Sequence, residues 1–347
     1  MVMNVSAHIA KAKLLAMTLL AAAVVASCDE VIYDGEGDCS VKYRIEFEYS
    51  RNMEFADAFA SKVGSVSLYV FDNSGVLVDV ITQSGAALAA EDYAIGLELA
   101  PAHYTLLAWC GVDGQSFSVP EAVVGTTTIE QMQCRLNSKS DSSGAYSDSD
   151  SNNLFHGVME LDYSDVPGLH TEVMSLTKNT NNFRILLQQT WSEGTAAEYI
   201  DYDDFNYAIV DNNALLEYDN TLPEQPTITY RPWAMTAGKV DSTSEVAAVR
   251  SGDVYLSVAE LTTSRLVVGN SPQLIITRKS DGGKVLSLPI IDYALVAKGQ
   301  AYGDMDAQEY LDRQDEYNMT FFLHNGQWMS AQIIINSWVV VINNENL

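Results

Sequence analysis

The sequence predicts a mainly all-β protein: two antiparallel β-sandwiches hung from a secretory signal by a short tether. Three observations carry this. Stretches of apolar–polar alternation recur at the roughly 8–12-residue spacing of sandwich strands. Turn-forming residues separate them, and long helical periodicity is scarce while Val, Ile, Thr and aromatic residues are plentiful. With 47% hydrophobic residues the chain can bury a core, and 347 residues make two domains the default.

The first strand is the clearest. In VKYRIEFEY, Val41, Tyr43, Ile45, Phe47 and Tyr49 point one way and Lys42, Arg44, Glu46 and Glu48 the other. That period of two is a half-buried strand, expected in an antiparallel sheet. Ser65–Phe71 and Val76–Ile81 flank Asp72-Asn73-Ser74-Gly75, a hairpin signal. Tyr93–Leu99 and His103–Cys110 flank Ala100-Pro101-Ala102. Asn137–Asn153, rich in Ser and Asp without an apolar period, reads as a mobile polar loop.

His170–Leu176 and Asn181–Gln189 read as further strands, separated by the polar break Thr177-Lys178-Asn179-Thr180. That break is expected to be the passage into a second domain, whose strands include DVYLSVAEL, QLIITRK, YNMTFFLH and IIINSWVVVI. A helix is expected over Asp306–Tyr317. The resulting organisation is a signal at 1–27, a tether at 28–40, one sandwich over 41–176 and another over 177–347.

The amino terminus specifies how the chain is held. Leu14–Val25 is an apolar run of twelve residues, too short for the roughly 20 that cross a bilayer. Lys11 and Lys13 precede it, and no acidic residue occurs before Asp29, which is the pattern of a secretory signal. Val25-Ala26-Ser27-Cys28 resembles a bacterial lipobox. Cleavage between Ser27 and Cys28 would make Cys28 the first mature residue and its thiol the acceptor of a diacylglycerol. A plain signal peptide with Cys28 there by chance is the competing reading. Acyl chains contribute about 0.8 kcal/mol per buried methylene, so two or three of them hold a protein on its membrane. Asp29 and Glu30 resemble a surface-export signal.

The formal charge is −27, and losing Lys11 and Lys13 with the signal takes it to −29. Such acidity argues against nucleic acid or an anionic membrane surface as a partner. With Cys28 assigned to lipid, Cys39, Cys110 and Cys134 remain. One disulfide plus one buried thiol is the simplest account, with the pair left open.

No catalytic or cofactor motif stands out. There is no GxSxG elbow, HExxH, phosphate loop or dinucleotide fingerprint. His103, His156, His170 and His324 lie at or near strand ends and read as structural. Asp148, Asp150 and Asn152 suggest a calcium loop, but its turn glycine is Asn153 and its closing glutamate is Met159. We therefore expect no catalytic residue, no metal and no cofactor. Trp109 and Trp338 fall within apolar strands, whereas Trp191, Trp233 and Trp328 are free to form a sugar-stacking face. These keep a glycan-binding surface lipoprotein as the alternative.

The order of segments carries a further signal. A lipobox cysteine followed by Asp/Glu precedes CSVKYRIEFEY, NMEFADAF, LYVFDNSG, LAPAHYTLLAWCG, LFHG, LTKNTNNFRILLQ and QEYLDRQDEYNMTFFL…INSWVVV. Together these resemble the FimB-type anchor family of fimbrial subunits in Bacteroidetes, over nearly the whole mature chain. The resemblance implies two transthyretin-like sandwiches, an outer-membrane lipoprotein exposed at the cell surface, and a non-enzymatic role at the base of a fimbrium, with pilin subunits as partners. Related stalk pilins are cut after an arginine in the first domain. Here Arg44 and Arg51 are the arginines nearest the start of the fold, and both read as uncut. Assembly by strand addition completes an open sheet edge with a neighbour's extended segment. The expected docking residues are Ile333, Ile334, Ile335, Trp338, Val339, Val340, Val341 and Ile342, with Asn343–Leu347 beyond them.

Overall fold

The computed structural model describes residues 41–190, 200–240, 254–324, 327–335 and 338–341. It is mostly β, with antiparallel pairing dominant and sheets packed as sandwiches, as the sequence predicts.

The Val41–Glu48 strand keeps the alternation read from its sequence. Tyr43, Ile45, Phe47 and Tyr49 are buried, while Lys42, Arg44, Glu46 and Glu48 remain at the surface. It is the middle of three strands. Ala94–Leu97 flanks it antiparallel, but Gly168–Ser175 flanks it in parallel over eight register pairs, Val41↔Gly168 to Glu48↔Ser175. The expected purely antiparallel setting is therefore corrected. The alternation reports one buried face and carries no information on the direction of a partner more than a hundred residues away.

Against this sheet packs an antiparallel sheet ordered Thr177–Lys178, Phe155–Tyr163, Ala102–Cys110, Ser65–Asp72 and Leu77–Ser84. The expected hairpin is present: Asp72 N–H donates to Val76 O at 2.9 Å, and Gly75 takes φ of 73°. Leu106 to Cys110 are all fully buried, because this sheet is a wall between two cores. Leu106, Ala108 and Cys110 pack with Ile45 and Phe47. Leu107 and Trp109, on the opposite face, join a cluster that runs through Cys134 and Leu136 to Phe183, Ile185, Tyr317 and Phe321. Such a strand reads as a continuous apolar run, since neither face meets water.

Cys110 and Cys134 are consequently free thiols in different cores. The disulfide expected among the three cysteines does not join this pair. Cys39 lies outside the described residues.

Two six-stranded sheets are built mainly from the second half. One is ordered Ala234–Val240, Val254–Ser264, Thr180–Thr190, Glu316–His324, Gln327–Ile335 and Trp338–Val341. The other is ordered Lys284–Pro289, Gln273–Arg278, Phe205–Asp211, Ile228–Tyr230, Gly144–Ser147 and Lys139–Asp141. The last two strands of that sheet lie in the segment expected to be a mobile loop. They form a hairpin whose Tyr146 and Ser147 pair with Thr229 and Tyr230. Arg231 holds it, donating to Asp141 at 2.8 Å and stacking 3.9 Å from the Tyr146 ring centre. The segment lacks an apolar period because its strands are mostly exposed at a sheet edge.

The expected helix is shorter than read. It spans Ala307–Arg313, capped by Asp306, whose carboxylate accepts from the Gln308 N–H at 2.8 Å. Glu316 already begins the next strand.

Candidate docking edge and the junction behind it

The residues expected to dock a partner fall on the last two described strands. Ile333–Ile335 close the Gln327–Ile335 strand, and Trp338–Val341 pairs back on it with Ile335↔Trp338, Ile334↔Val339 and Ile333↔Val340 in register. Three Ile and three Val in so short a stretch favour extended backbone, since branching at Cβ restricts χ1. Trp338–Val341 is the outermost strand of its sheet, and its far flank carries no partner among the described residues. Such a flank offers N–H and C=O groups to an added strand. Ser27, Cys28 and Ile342 lie outside the described residues.

The edge belongs to a sheet whose spine is the parallel pairing of Thr180–Thr190 with Glu316–His324, nine register pairs long. Ahead of that spine lies a polar junction between the two halves. Asp312, with a side chain only 2% exposed, accepts from Arg265 at 2.8 and 3.0 Å and lies 3.5 Å from Arg51. One carboxylate thus faces a cation from each half. Buried Lys178 donates to Asp315 at 2.5 Å. Asn179 and Asn220 exchange amide bonds of 2.7 and 3.1 Å, and both are buried. Arg313 reaches from the second half to the carbonyls of Ser50 and Asn52, at 2.9 and 3.2 Å.

All four residues of the Thr177–Thr180 break are buried. Thr177–Lys178 pairs with Phe155–His156 in a first-half sheet, and Thr180 opens a central strand of the second half. The charged members of this junction were not anticipated. A signal existed: Lys178 and Asp312 interrupt the runs LTKN and YLDR, where a buried charge requires a partner.

Three of the histidines make contacts within the fold. Buried His156 has Nε2 2.7 Å from the Tyr218 carbonyl and its ring 4.8 Å from Trp109. Burial, first, pushes its pKa down to about 4, with Arg265 acting in the same direction. Exposed His103 lies 2.6 Å from Asp162 and 3.0 Å from Glu160, and the hydrogen bond to Asp162 raises its pKa. His170 stacks on Tyr43 at 4.5 Å. Of the three tryptophans whose side chains are described, Trp109 is buried, Trp328 is half-buried against Phe321 and only Trp233 is exposed. Trp191 lies outside the described residues.

Of the two candidate cleavage arginines, Arg44 sits mid-strand with partners on both flanks and pairs with Glu46 at 2.8 Å. Arg51 contributes to the Asp312 junction. Ala94–Leu97 is a further sheet edge without a ladder partner among the described residues, and it borders a groove of about 870 Å³ lined by Tyr43, Arg44, Leu97, Leu99 and Tyr163. Among the described residues no helix is long and apolar enough to cross a membrane.

The family described as Mfa2, fimbrillin-A associated anchor proteins Mfa1 and Mfa2, matches residues 36–344. The chain is similar to the minor fimbrium anchoring subunit Mfa2 of Porphyromonas gingivalis, 22% identical over 329 residues that span 91% of this chain and 90% of that protein. Among solved structures it is similar to a candidate adhesin of Bacteroides thetaiotaomicron, with 35% identity, a TM-score of 0.75 and coverage of 88% of this chain and 99% of that one. A candidate polysaccharide-binding protein of the same species superposes with a TM-score of 0.74 at 28% identity and the same coverage. The P. gingivalis fimbrial anchor protein Mfa2 shares the fold, with a TM-score of 0.62 at 17% identity over 87% of this chain and 99% of that one.

Proposed function

The chain belongs to the fimbrillin-A associated anchor family, bearing out the resemblance in its sequence, and from that premise we propose that it is an outer-membrane lipoprotein that tethers a surface fimbrium. In this reading the Cys28 thiol carries the lipid after cleavage at Ser27, and pilin subunits attach by strand addition at the carboxyl-terminal sheet edge. Limiting fimbrial length would follow from occupying the base of the fibre.

The observation that supports this most is the Trp338–Val341 strand, whose outer flank has no ladder partner among the described residues and could take an extended segment. The Val41–Glu48 strand adds support from the other end. It fills the first core with Tyr43, Ile45 and Phe47, and an anchor must keep the lipidated segment that precedes it. The glycan-binding alternative needs an aromatic face, and Trp233 is by itself among the tryptophans described as exposed.

Deleting the gene tests the anchor role. Long fimbriae released into the medium are expected, while unchanged fimbriae on the cells would overturn it. Truncation after Ser337 tests the edge. The truncated protein is expected to stay folded by circular dichroism and to lose fimbriae on co-purification. A folded truncation that still brings fimbriae down rejects the edge as the docking surface, and an unfolded one assigns these strands to the core of the second half.

A further inference from the structure

The parallel pairing of the first strand points to a mechanical role. Val41, where the tether enters, pairs with Gly168 at one end of the three-stranded sheet. The chain passes from this sheet into the second half at the opposite end. There Leu176 N–H donates to Glu48 O at 2.8 Å, the chain continues through Thr177–Lys178 into the Thr180–Thr190 strand, and Arg313 holds the carbonyls of Ser50 and Asn52. A pull between the tether and the second half therefore runs along the strand axis. It draws Val41 one way and Ser175 the other.

We propose that Val41–Glu48 and Gly168–Ser175 form a shear clamp that bears tension between the membrane-held amino terminus and the rest of the molecule. This rests on the anchor reading above for the origin of the load. The geometry itself belongs to the isolated fold.

Shear loads the ladder as a unit. The eight pairs to Gly168–Ser175 and the four to Ala94–Leu97 must yield together, whereas a pull across the strands breaks such pairs one at a time. Val41–Glu48 is the central strand of its sheet, so drawing it out must break ladders on both flanks. Side chains lock the register as well: Tyr43 is stacked between Tyr163 at 4.2 Å and His170 at 4.5 Å, and Arg44 Nε donates to Thr171 Oγ1 at 2.9 Å. A slip of one residue would turn Lys42, Arg44 and Glu46 into the core space of Tyr43, Ile45 and Phe47. Forced unfolding is governed by the unfolding rate, so such a clamp lengthens attachment under load without requiring high equilibrium stability.

Single-molecule pulling on the chain from Asp29 onward tests this. Cys39→Ser confines thiol attachment to an introduced handle, with the second handle at the amino terminus. A handle at exposed Ser175→Cys loads the pair in shear, and one at exposed Asp165→Cys, beside the Gly168 end, unzips it. The shear geometry is expected to need severalfold more force. A third handle at Ser280→Cys, in the second half, should reproduce the high-force event. Equal forces for Ser175→Cys and Asp165→Cys would overturn the clamp, and so would a Ser280→Cys trace in which the second half always yields first. None of these outcomes depends on lipid or fimbriae, so gene deletion failing to release fimbriae would leave the clamp standing.

Discussion

Arg51 of the first half faces Asp312 of the second at 3.5 Å, and Asp312 also accepts two hydrogen bonds from Arg265. The carboxylate is nearly inaccessible, Arg265 is 13% exposed and Arg51 is 45% exposed. These burials set the energetics. Asp312→Ala leaves the Arg265 charge desolvated without a counter-ion, which costs about 3–5 kcal/mol. Arg51→Ala removes a half-exposed partner at the longer distance and should cost no more than about 1 kcal/mol. Urea midpoints of the two variants check this. Equal shifts would mean that water reaches Asp312.

Gly111 ends the Ala102–Cys110 strand with φ of 83°, and a Cβ there would meet the Asn153 carbonyl oxygen at 1.9 Å. Gly114, three residues on, has φ of 70° and nothing within 4 Å of such a Cβ. Gly114→Ala should therefore cost only left-handed backbone strain, about 1 kcal/mol. Gly111→Ala adds a backbone clash and should lose more than about 3 kcal/mol. Thermal midpoints of the pair separate conformation from contact.

The sequence disclosed what depends on local pattern. VKYRIEFEY declares its buried face, and the Asp72–Gly75 turn declares its hairpin. The parallel partner of the first strand was hidden because direction of pairing leaves no mark on alternation. The Lys139–Ser147 hairpin was hidden because an exposed edge needs no apolar residues. The helix Ile290–Ala301 is formed by IIDYALVAKGQA, whose Ile290, Ile291, Ala294 and Ala297 are buried at helical spacing. It follows directly on a strand, and a short apolar run is ambiguous between the two states. The carboxyl-terminal sheet edge was legible as β-branched sequence. The junction behind it was not, because its charges meet only when segments distant in sequence come together.

Cys110 and Cys134 give a test of the two-core arrangement. Both thiols are buried, and burial pushes their pKa values well above the ordinary thiol range. Neither should react with a maleimide in the native protein at neutral pH, since the thiolate is the reactive form. Labelling should instead follow the unfolding rate and become complete in denaturant. Prompt native labelling of either residue would contradict its placement.

Two buried groups oppose each other in acid. His156 is held neutral, its pKa pushed down from 6.5 to about 4 by burial. As pH falls through that window the unfolded chain takes the proton first, so the native state loses roughly 3 kcal/mol between pH 6.5 and 4. Asp211 is buried with one carboxylate oxygen unpartnered, and burial raises its pKa from 3.8 to about 6. Here the native state takes the proton first, and stability rises by roughly 3 kcal/mol as pH falls from 6 to 3.8. Between about pH 4 and 6 the two contributions cancel in the intact protein. Removing either one exposes the other. Relative to the parent, His156→Gln should gain stability on acidification from pH 6.5 to 4, and Asp211→Asn should lose it over the same range. The double variant should return to the parent slope. Denaturant titrations at pH 4, 5, 6 and 7 measure all four slopes, and carboxylates common to every variant drop out of the differences. Parallel slopes in all four proteins would mean that neither group changes its proton affinity on folding.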